Sequence, residues 1–350
     1  MSTYEDRLAG LHVQIEGYTL ERRELAVTPE FTRVSTVVRL DGGETDGLGE
    51  DVTYDTVDQE ALQAAGPALP LAGSYTLEEL STRLDGLDLW PAPPQREASV
   101  HYRRWAFESA ALDLALRQAG RALSEQLVRV ANPVAFLVSL RLGEPPTLDP
   151  VLRRLERYPD LRFKLDPTSS WDEEVIAGLV GTGAVDSVDL KGFYQGTIVD
   201  QPPDPVLYRR VVDAFPHAWI EDPALTGETE PILEPHRDRI TWDAPIHSVA
   251  DIEALPFPPK TINMKPSRFG SLQRLLDAYD HCAERGIAAY GGGQFELGPG
   301  RGQVQYLSSL FHPDASNDVA PGGYNDPAVP SGLLPSPLPR LAEPTGFRWG

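Results

Sequence analysis

A single cysteine, Cys282, stands among 350 residues, so the chain has no disulfide framework and a reducing cytosol is its expected compartment. Its setting in the helical stretch LLDAYDHCAERG is that of a small buried apolar side chain. Apolar runs are short, and none approaches the roughly 18 residues of a membrane helix. The opening MSTYEDRLAGLHV lacks a basic segment followed by an apolar one, so neither secretion nor membrane insertion is expected. Positive charge is scarce: 31 Lys and Arg against 52 Asp and Glu leave a net charge of −21. Nucleic acids and anionic membranes need a basic face, so neither is an expected partner, and the acidity reads as a solvated surface. The seven histidines show no metal-ligand spacing, and no GxSxG elbow, P-loop or dinucleotide fingerprint is present.

The length accommodates a barrel of about 250 residues and a smaller domain of roughly 100. Residues 10–54 alternate like an antiparallel meander, LHVQIEGYTL then FTRVSTVVRL, with a turn at Asp41-Gly42-Gly43 and a third segment through Gly47, Gly49 and Glu50. Residues 75–90 and 101–127 read as helices, the second packing closely through its alanines. From Val134 the pattern becomes short apolar segments separated by helical stretches: VAFLVSL, LRFKL, VDSVDL, HAWIE, RITWD, TINMK and IAAYGG. That alternation predicts parallel α/β structure. The tail GLLPSPLPRLAEPTGF has too many prolines for a helix or a central strand.

Five of these segments close on a charged residue: Lys164 in LRFKLD, Asp189 in VDSVDL, Glu221 in AWIEDP, Asp243 in ITWDAP and Lys265 in TINMKP. In a (β/α)8 barrel all strands point their C-terminal ends at one face, so these residues are expected to converge on one pocket. Three carboxylates suit a hard divalent cation, Mg2+ above all with Mn2+ as a substitute, and the lysines are the candidate proton carriers.

With these residues in place, the chain resembles the enolase superfamily, specifically its muconate-lactonizing-enzyme subgroup and the o-succinylbenzoate synthase and N-acylamino acid racemase branch. The segment GLGE resembles the end of the capping-domain strands, and AFESAALDLALRQAGRALSEQL the helix leading into the barrel. Arg162-Phe163-Lys164 takes the place of the second-strand Lys-x-Lys motif. GGGQFELGPGRG is similar to a GGMxExGxGR segment through Gly292, Gly293, Glu296, Gly298, Gly300 and Arg301. The resemblance implies an α/β fold: a (β/α)8-type (TIM) barrel over 131–325, an N-terminal α+β capping domain over 1–130, and a Pro-rich segment over 326–350 that packs back on the capping domain.

The resemblance further implies a lyase or isomerase in which Asp189, Glu221 and Asp243 hold Mg2+ and Lys164 and Lys265 act as acid and base across an enediolate intermediate. Dehydration, racemisation, epimerisation and cycloisomerisation stay open. Desolvation, the cation and Arg162 are expected to lower the lysine pKa values. The expected partners are a small-molecule carboxylate substrate and further copies of the chain in a homo-oligomer. Candidate substrate contacts are Arg162, Lys191, Gly292, Gly293, Gln294 and Asp318, with Phe31 and Tyr54 from capping-domain loops near 20–32 and 50–60. Glu296 and Arg301 are expected to pair and order their loop.

Departures from the pattern cluster near the pocket. Arg162 replaces a lysine, Lys191 stands where an asparagine commonly follows the third-strand aspartate, Ala244 replaces a glutamate, and the connection GFYQGTIVDQPPDP is long. An ammonium on Lys191 beside Asp189 either competes with the cation or binds an anionic substrate group. The alternative reading is a divergent member that has lost metal-dependent catalysis and binds a small anion.

Overall fold

In the computed structural model, which describes residues 2–28, 31–194 and 200–349, the N-terminal domain is an antiparallel sheet under a long helix. Strands β2 (Gly17–Thr28), β3 (Phe31–Gly42) and β4 (Thr45–Asp51) form the meander, in the order β2-β3-β4. Gly43, at φ +64°, supplies the left-handed residue of the β3–β4 turn. Only the second half of the first alternating segment, from Gly17, joins this sheet. The chain bends at Glu16, and β1 (His12–Ile15) pairs antiparallel with β5 (Gly73–Thr76), burying Val13 and Ile15.

Helix α1 (Thr56–Ala65) occupies a region expected to be a capping-domain loop, and residues 20–28 lie in β2; the hairpin tip at 29–30 is outside the described residues. Helix α2 (Leu77–Asp85) is shorter than expected at both ends: a capping box fixes its start, with Thr76 accepting from the Glu79 N–H and Glu79 from that of Thr76, and the helix ends at Gly86. Helix α3 (Ser99–Gln118) stops before Gly120, whose φ is +65°, and only a short turn, Leu123–Gln126, continues it.

The alanines of α3 let it lie directly on β4. A Cβ on Gly47 would sit 2.1 Å from the Ala110 carbonyl oxygen, and one on Gly49 2.0 Å from that of Ala106. Both obstacles are backbone and cannot swing aside. Gly49→Val is therefore expected to lower stability by about 3 kcal/mol or more, read as a lower urea midpoint with an unchanged slope. A midpoint matching the parent would refute this close approach.

Eight short parallel segments close the barrel. They are β6 (Val138–Leu140), β7 (Phe163–Leu165), β8 (Val185–Asp189), β9 (Trp219–Glu221), β10 (Ile240–Thr241), β11 (Thr261–Met264), β12 (Ala288–Gly291) and the bridge-forming pair Asn317 and Asp318. Strands β6 to β10 are paired in sequence, and the Trp242–Ile262 bridge joins β10 to β11. The Gly292–Asp318 and Phe136–Asn317 bridges complete the ring. Because strand side chains alternate, Phe163, Leu165, Val188, Ile220 and Ile262 occupy the apolar core while their neighbours Lys164, Asp189, Glu221, Thr241 and Asn263 share a polar interior.

The C-terminal segment runs along the start of the barrel, where Leu338 bridges Val134, and then reaches α3. There Asp113 accepts from the Phe347 N–H at 2.7 Å and from Arg348 Nε at 2.8 Å.

Candidate active site

The strand ends bring the five charged residues together. Lys164 lies in β7, Asp189 and Glu221 end β8 and β9, Asp243 follows β10 by two residues, and Lys265 follows β11 directly. All five are buried, between 0% and 7% exposed, although each is charged. Lys164 Nζ donates to Glu221 Oε1 and lies 3.1 Å from Asp189 Oδ2 and 3.4 Å from Asp318 Oδ2. Lys265 Nζ is 2.8 Å from Asp243 Oδ2, an oxygen that also receives the Tyr194 hydroxyl at 3.1 Å and Arg268 Nη2 at 3.3 Å.

Burial and charge work against each other here. Burial alone raises a carboxyl pKa, yet Lys191 and Lys164 hold Asp189 well below the ordinary range, and Arg268 and Lys265 do the same to Asp243. Glu221 goes the other way: burial, with repulsion from Asp189 and Asp243, pushes it well above the usual value despite Lys164. Asp222 is pushed up to about 7 by burial and then by Asp243 and Asp189. The expected lowering of the Lys164 pKa is not found. Burial favours it, but Glu221 and Asp189 outweigh burial and hold the ammonium well above its ordinary value.

Two acids driven toward protonation mark a site with more negative charge than its lysines and arginines neutralise. Ligand atoms of Asp189, Glu221 and Asp222 lie within 4.8 Å of one another, the spacing of a metal-binding group. Asp243 stands outside that group, with Oδ2 committed to Lys265, Arg268 and Tyr194, but its Oδ1 is buried and has no hydrogen-bond partner among the described residues. Hard oxygen donors, excess negative charge and an orphaned carboxylate oxygen fit a divalent cation.

The remaining expected contacts divide. Arg162 is a correction: its guanidinium pairs with Asp186 and donates to the Gly183 carbonyl, at the entry end of β8 and opposite to Asp189. Its side chain is 43% exposed, so it neither clamps substrate nor tunes Lys164. Arg162→Ala is expected to leave kcat/KM within about two-fold of the parent in a steady-state assay, and a ten-fold loss would contradict this placement.

Lys191 does reach the site, on Asp189. Gly292 lies against Lys265, where a Cβ would come 2.7 Å from its Cε, and Asp318 stands beside Lys164. The Gly293 position faces the Glu296–Arg301 ion pair, itself 3.1 Å long. Gln294 is buried, donating to the Tyr102 hydroxyl at 3.1 Å and accepting from that of Tyr54 at 3.4 Å. Arg33 stacks 4.4 Å over the Tyr54 ring and donates to the Gln294 carbonyl, tying the capping domain to the barrel loop. Phe31 lies two residues before Arg33, on the same face of β3.

Four residues escaped the sequence reading. Asp222, at φ +47°, accepts the backbone N–H groups of Asp243 and Ala244, each at 2.8 Å, and so fixes the turn that aims Asp243. Its signal was an acid next to a candidate ligand in WIEDP. Arg268, three residues after Lys265, is placed by the helical turn Pro266–Phe269. Tyr290 donates to Glu221 Oε2 at 2.5 Å and was legible as the polar inward position of IAAYGG. Tyr194 gave no local signal, because its loop has no periodicity.

Comparison with known proteins agrees with this architecture. The chain is 27% identical over 325 residues to an o-succinylbenzoate synthase of Geobacillus stearothermophilus, covering 86% of this chain and 78% of that one. It is 26% identical over 320 residues to an N-succinylamino acid racemase of Thermus thermophilus, covering 83% and 79%. An enolase-superfamily member from Listeria innocua superposes with a TM-score of 0.63 at 19% identity, covering 88% and 86%. A dipeptide epimerase from Methylococcus capsulatus, solved with a Mg ion, gives 0.65 at 20% identity, covering 89% and 94%. Residues 6–126 and 130–326 match the N-terminal and C-terminal domain models of one family. The chain thus belongs to the family described as domain of unknown function DUF8230; it is an enzyme, and its fold is the capped TIM barrel of the enolase-superfamily structures on which it superposes.

Proposed function

We propose that this enzyme depends on a divalent cation, Mg2+ or in its place Mn2+, and removes the proton α to a substrate carboxylate. Lys164 and Lys265 are its acid/base pair; Asp189, Glu221 and Asp243 hold the cation, with Asp222 beside them. One observation carries the reading: two buried lysines stand on strands half a ring apart, each anchored on a carboxylate of the same cluster. A cation there supplies positive charge that stabilises the substrate carboxylate as its α-carbon is deprotonated.

The proton passes to a neutral lysine amine while the C–H electron pair moves toward the carboxyl carbon. Lys164 is kept protonated by Glu221 and Asp189, and becomes a base only once those carboxylates are neutralised. Return of a proton from the opposite lysine inverts the carbon, giving racemisation or epimerisation. Loss of a β-hydroxyl, protonated and released as water, gives dehydration of the o-succinylbenzoate synthase type. Cycloisomerisation starts from the same step. The names of the two relatives favour the first two outcomes. Gln294, Tyr54, Phe31, Gly292, Gly293 and Asp318 are the proposed contacts of a small carboxylate substrate.

The test is to incubate the enzyme with Mg2+ and N-succinylamino acids, N-acylamino acids or dipeptides in deuterium oxide, following α-proton loss by NMR, with dehydration of an o-succinylbenzoate precursor followed by absorbance. The absence of both reactions across these substrates would sink the proposal. A second reading, a binder of small anions without metal-dependent catalysis, is favoured by the Lys191 ammonium on Asp189 and by Ala244 in place of an acid. Cation-independent binding of a dicarboxylate, without proton exchange, would select it.

A further inference from the structure

The turn that leaves β8 lays two side chains on the ligand oxygens themselves. Lys191 has a left-handed backbone, φ +53°, which folds its own N–H onto Asp189 Oδ1 at 3.1 Å while its Nζ reaches Asp189 Oδ2. One residue thus takes both oxygens of one carboxylate. Three residues on, Tyr194 donates its hydroxyl to Asp243 Oδ2 at 3.1 Å. The turn between them is fixed. The Tyr194 N–H bonds the Lys191 carbonyl at 3.2 Å, and the Gly192 N–H bonds the Asp222 carbonyl at 2.8 Å. A Cβ on Gly192 would lie 2.4 Å from the Ala224 nitrogen, so the turn is packed against the segment that follows β9.

We propose that the loop after β8 sets the cation affinity of this site: the Lys191 ammonium occupies the Asp189 oxygen that a divalent cation would otherwise take, and Tyr194 draws charge from Asp243 through Oδ2. The inference rests on the cation reading above. An entering cation must displace the ammonium from Asp189, and the ammonium does not go far: Asp166 Oδ1 lies 3.6 Å from Nζ, and the centroid of the Tyr194 ring 5.1 Å from it. The displaced charge stays close and repels the cation, so the competitor acts at all times and at a fixed effective concentration. Tyr194, on Asp243 Oδ2, leaves Oδ1 open to the cation and weakens the carboxylate as a donor. Lys191 is therefore a determinant of cation occupancy, built into the loop, and not a ligand.

The test is calorimetric titration of Mn2+, without substrate, into the full chain and into Lys191→Gly, Lys191→Arg and Tyr194→Phe. Glycine suits the positive φ and removes the ammonium from both Asp189 and Asp166, while arginine keeps the charge. Lys191→Gly is expected to bind Mn2+ at least about ten-fold more tightly than the parent, Lys191→Arg within about three-fold of it, and Tyr194→Phe between the two. If the glycine variant fails to fold, Lys191→Asn takes its place, because asparagine also tolerates left-handed backbone. Equal or weaker binding by the folded variant overturns the competitor role and leaves the cation reading standing. No heat of binding from any of the proteins up to about 10 mM Mn2+ overturns both.

Discussion

Lys164→Ala is expected to lower kcat/KM by about a thousand-fold or more, the range lost when a positioned acid/base group is removed. It is also expected to destabilise the protein measured without divalent cation. Lys164 is 2% exposed and is the cation that pairs with Glu221 among the described residues. Its removal leaves a buried carboxylate uncompensated, a change that typically costs about 3–5 kcal/mol. Lys265→Ala should produce a similar kinetic loss with a smaller loss of stability, because Asp243 keeps Arg268 and Tyr194.

The two variants can also be told apart by stereochemistry. If the lysines address opposite faces of the α-carbon, each single variant stops racemisation but still exchanges the α-proton of the one enantiomer that faces the surviving lysine. NMR of both enantiomers in deuterium oxide, with urea unfolding of each variant, reads all of this. A Lys164→Ala enzyme that still racemises within about ten-fold of the parent would remove Lys164 from the chemistry.

These predictions rest on residues that were legible in the sequence because strand physics wrote them there. Each barrel strand is a short apolar run whose alternate positions face the interior, so Lys164, Asp189, Glu221, Asp243 and Lys265 stood out as polar breaks at the run ends. What could not be read was how those charges would be shared. Arg162 sits two residues before Lys164 and on spacing alone belonged to the pocket; the register irregularity between Phe163 and Lys164 accompanies its turn toward Asp186. Asp222 was hidden because its role depends on a left-handed backbone and on two N–H groups of a neighbouring strand end. Helix α1 was hidden because its buried face is narrow, limited to Asp58, Gln59 and Leu62. The break between β1 and β2 was hidden because a bend at one residue leaves the alternation on both sides intact.

The largest effect of conditions is expected where cation binding meets the raised acids. Asp222 has a folded pKa of about 7 against an ordinary value of 3.8, and Glu221 is raised as well. A raised acid contributes stability that is complete below its unfolded pKa and is lost as pH rises through its folded pKa, so the cation-free protein should weaken between about pH 4 and 7. A cation binds the ionised carboxylates, so its stabilisation should grow over the same interval. Asp189 and Asp243, held well below the ordinary range, are ionised throughout and add nothing to the difference.

With Mg2+ at about 100 times its Kd at pH 8, the stabilisation is about 2.7 kcal/mol, or about 4 °C in Tm for a chain of this size. At pH 5.5 one proton must leave a group of pKa about 7 for the cation to bind. Affinity then falls about thirty-fold, and the same Mg2+ concentration should raise Tm by only about 1 °C. Differential scanning fluorimetry at the two pH values, with and without Mg2+, measures both numbers. Equal increments would mean that the cation meets neither Glu221 nor Asp222, and would move the candidate metal centre away from the end of β9.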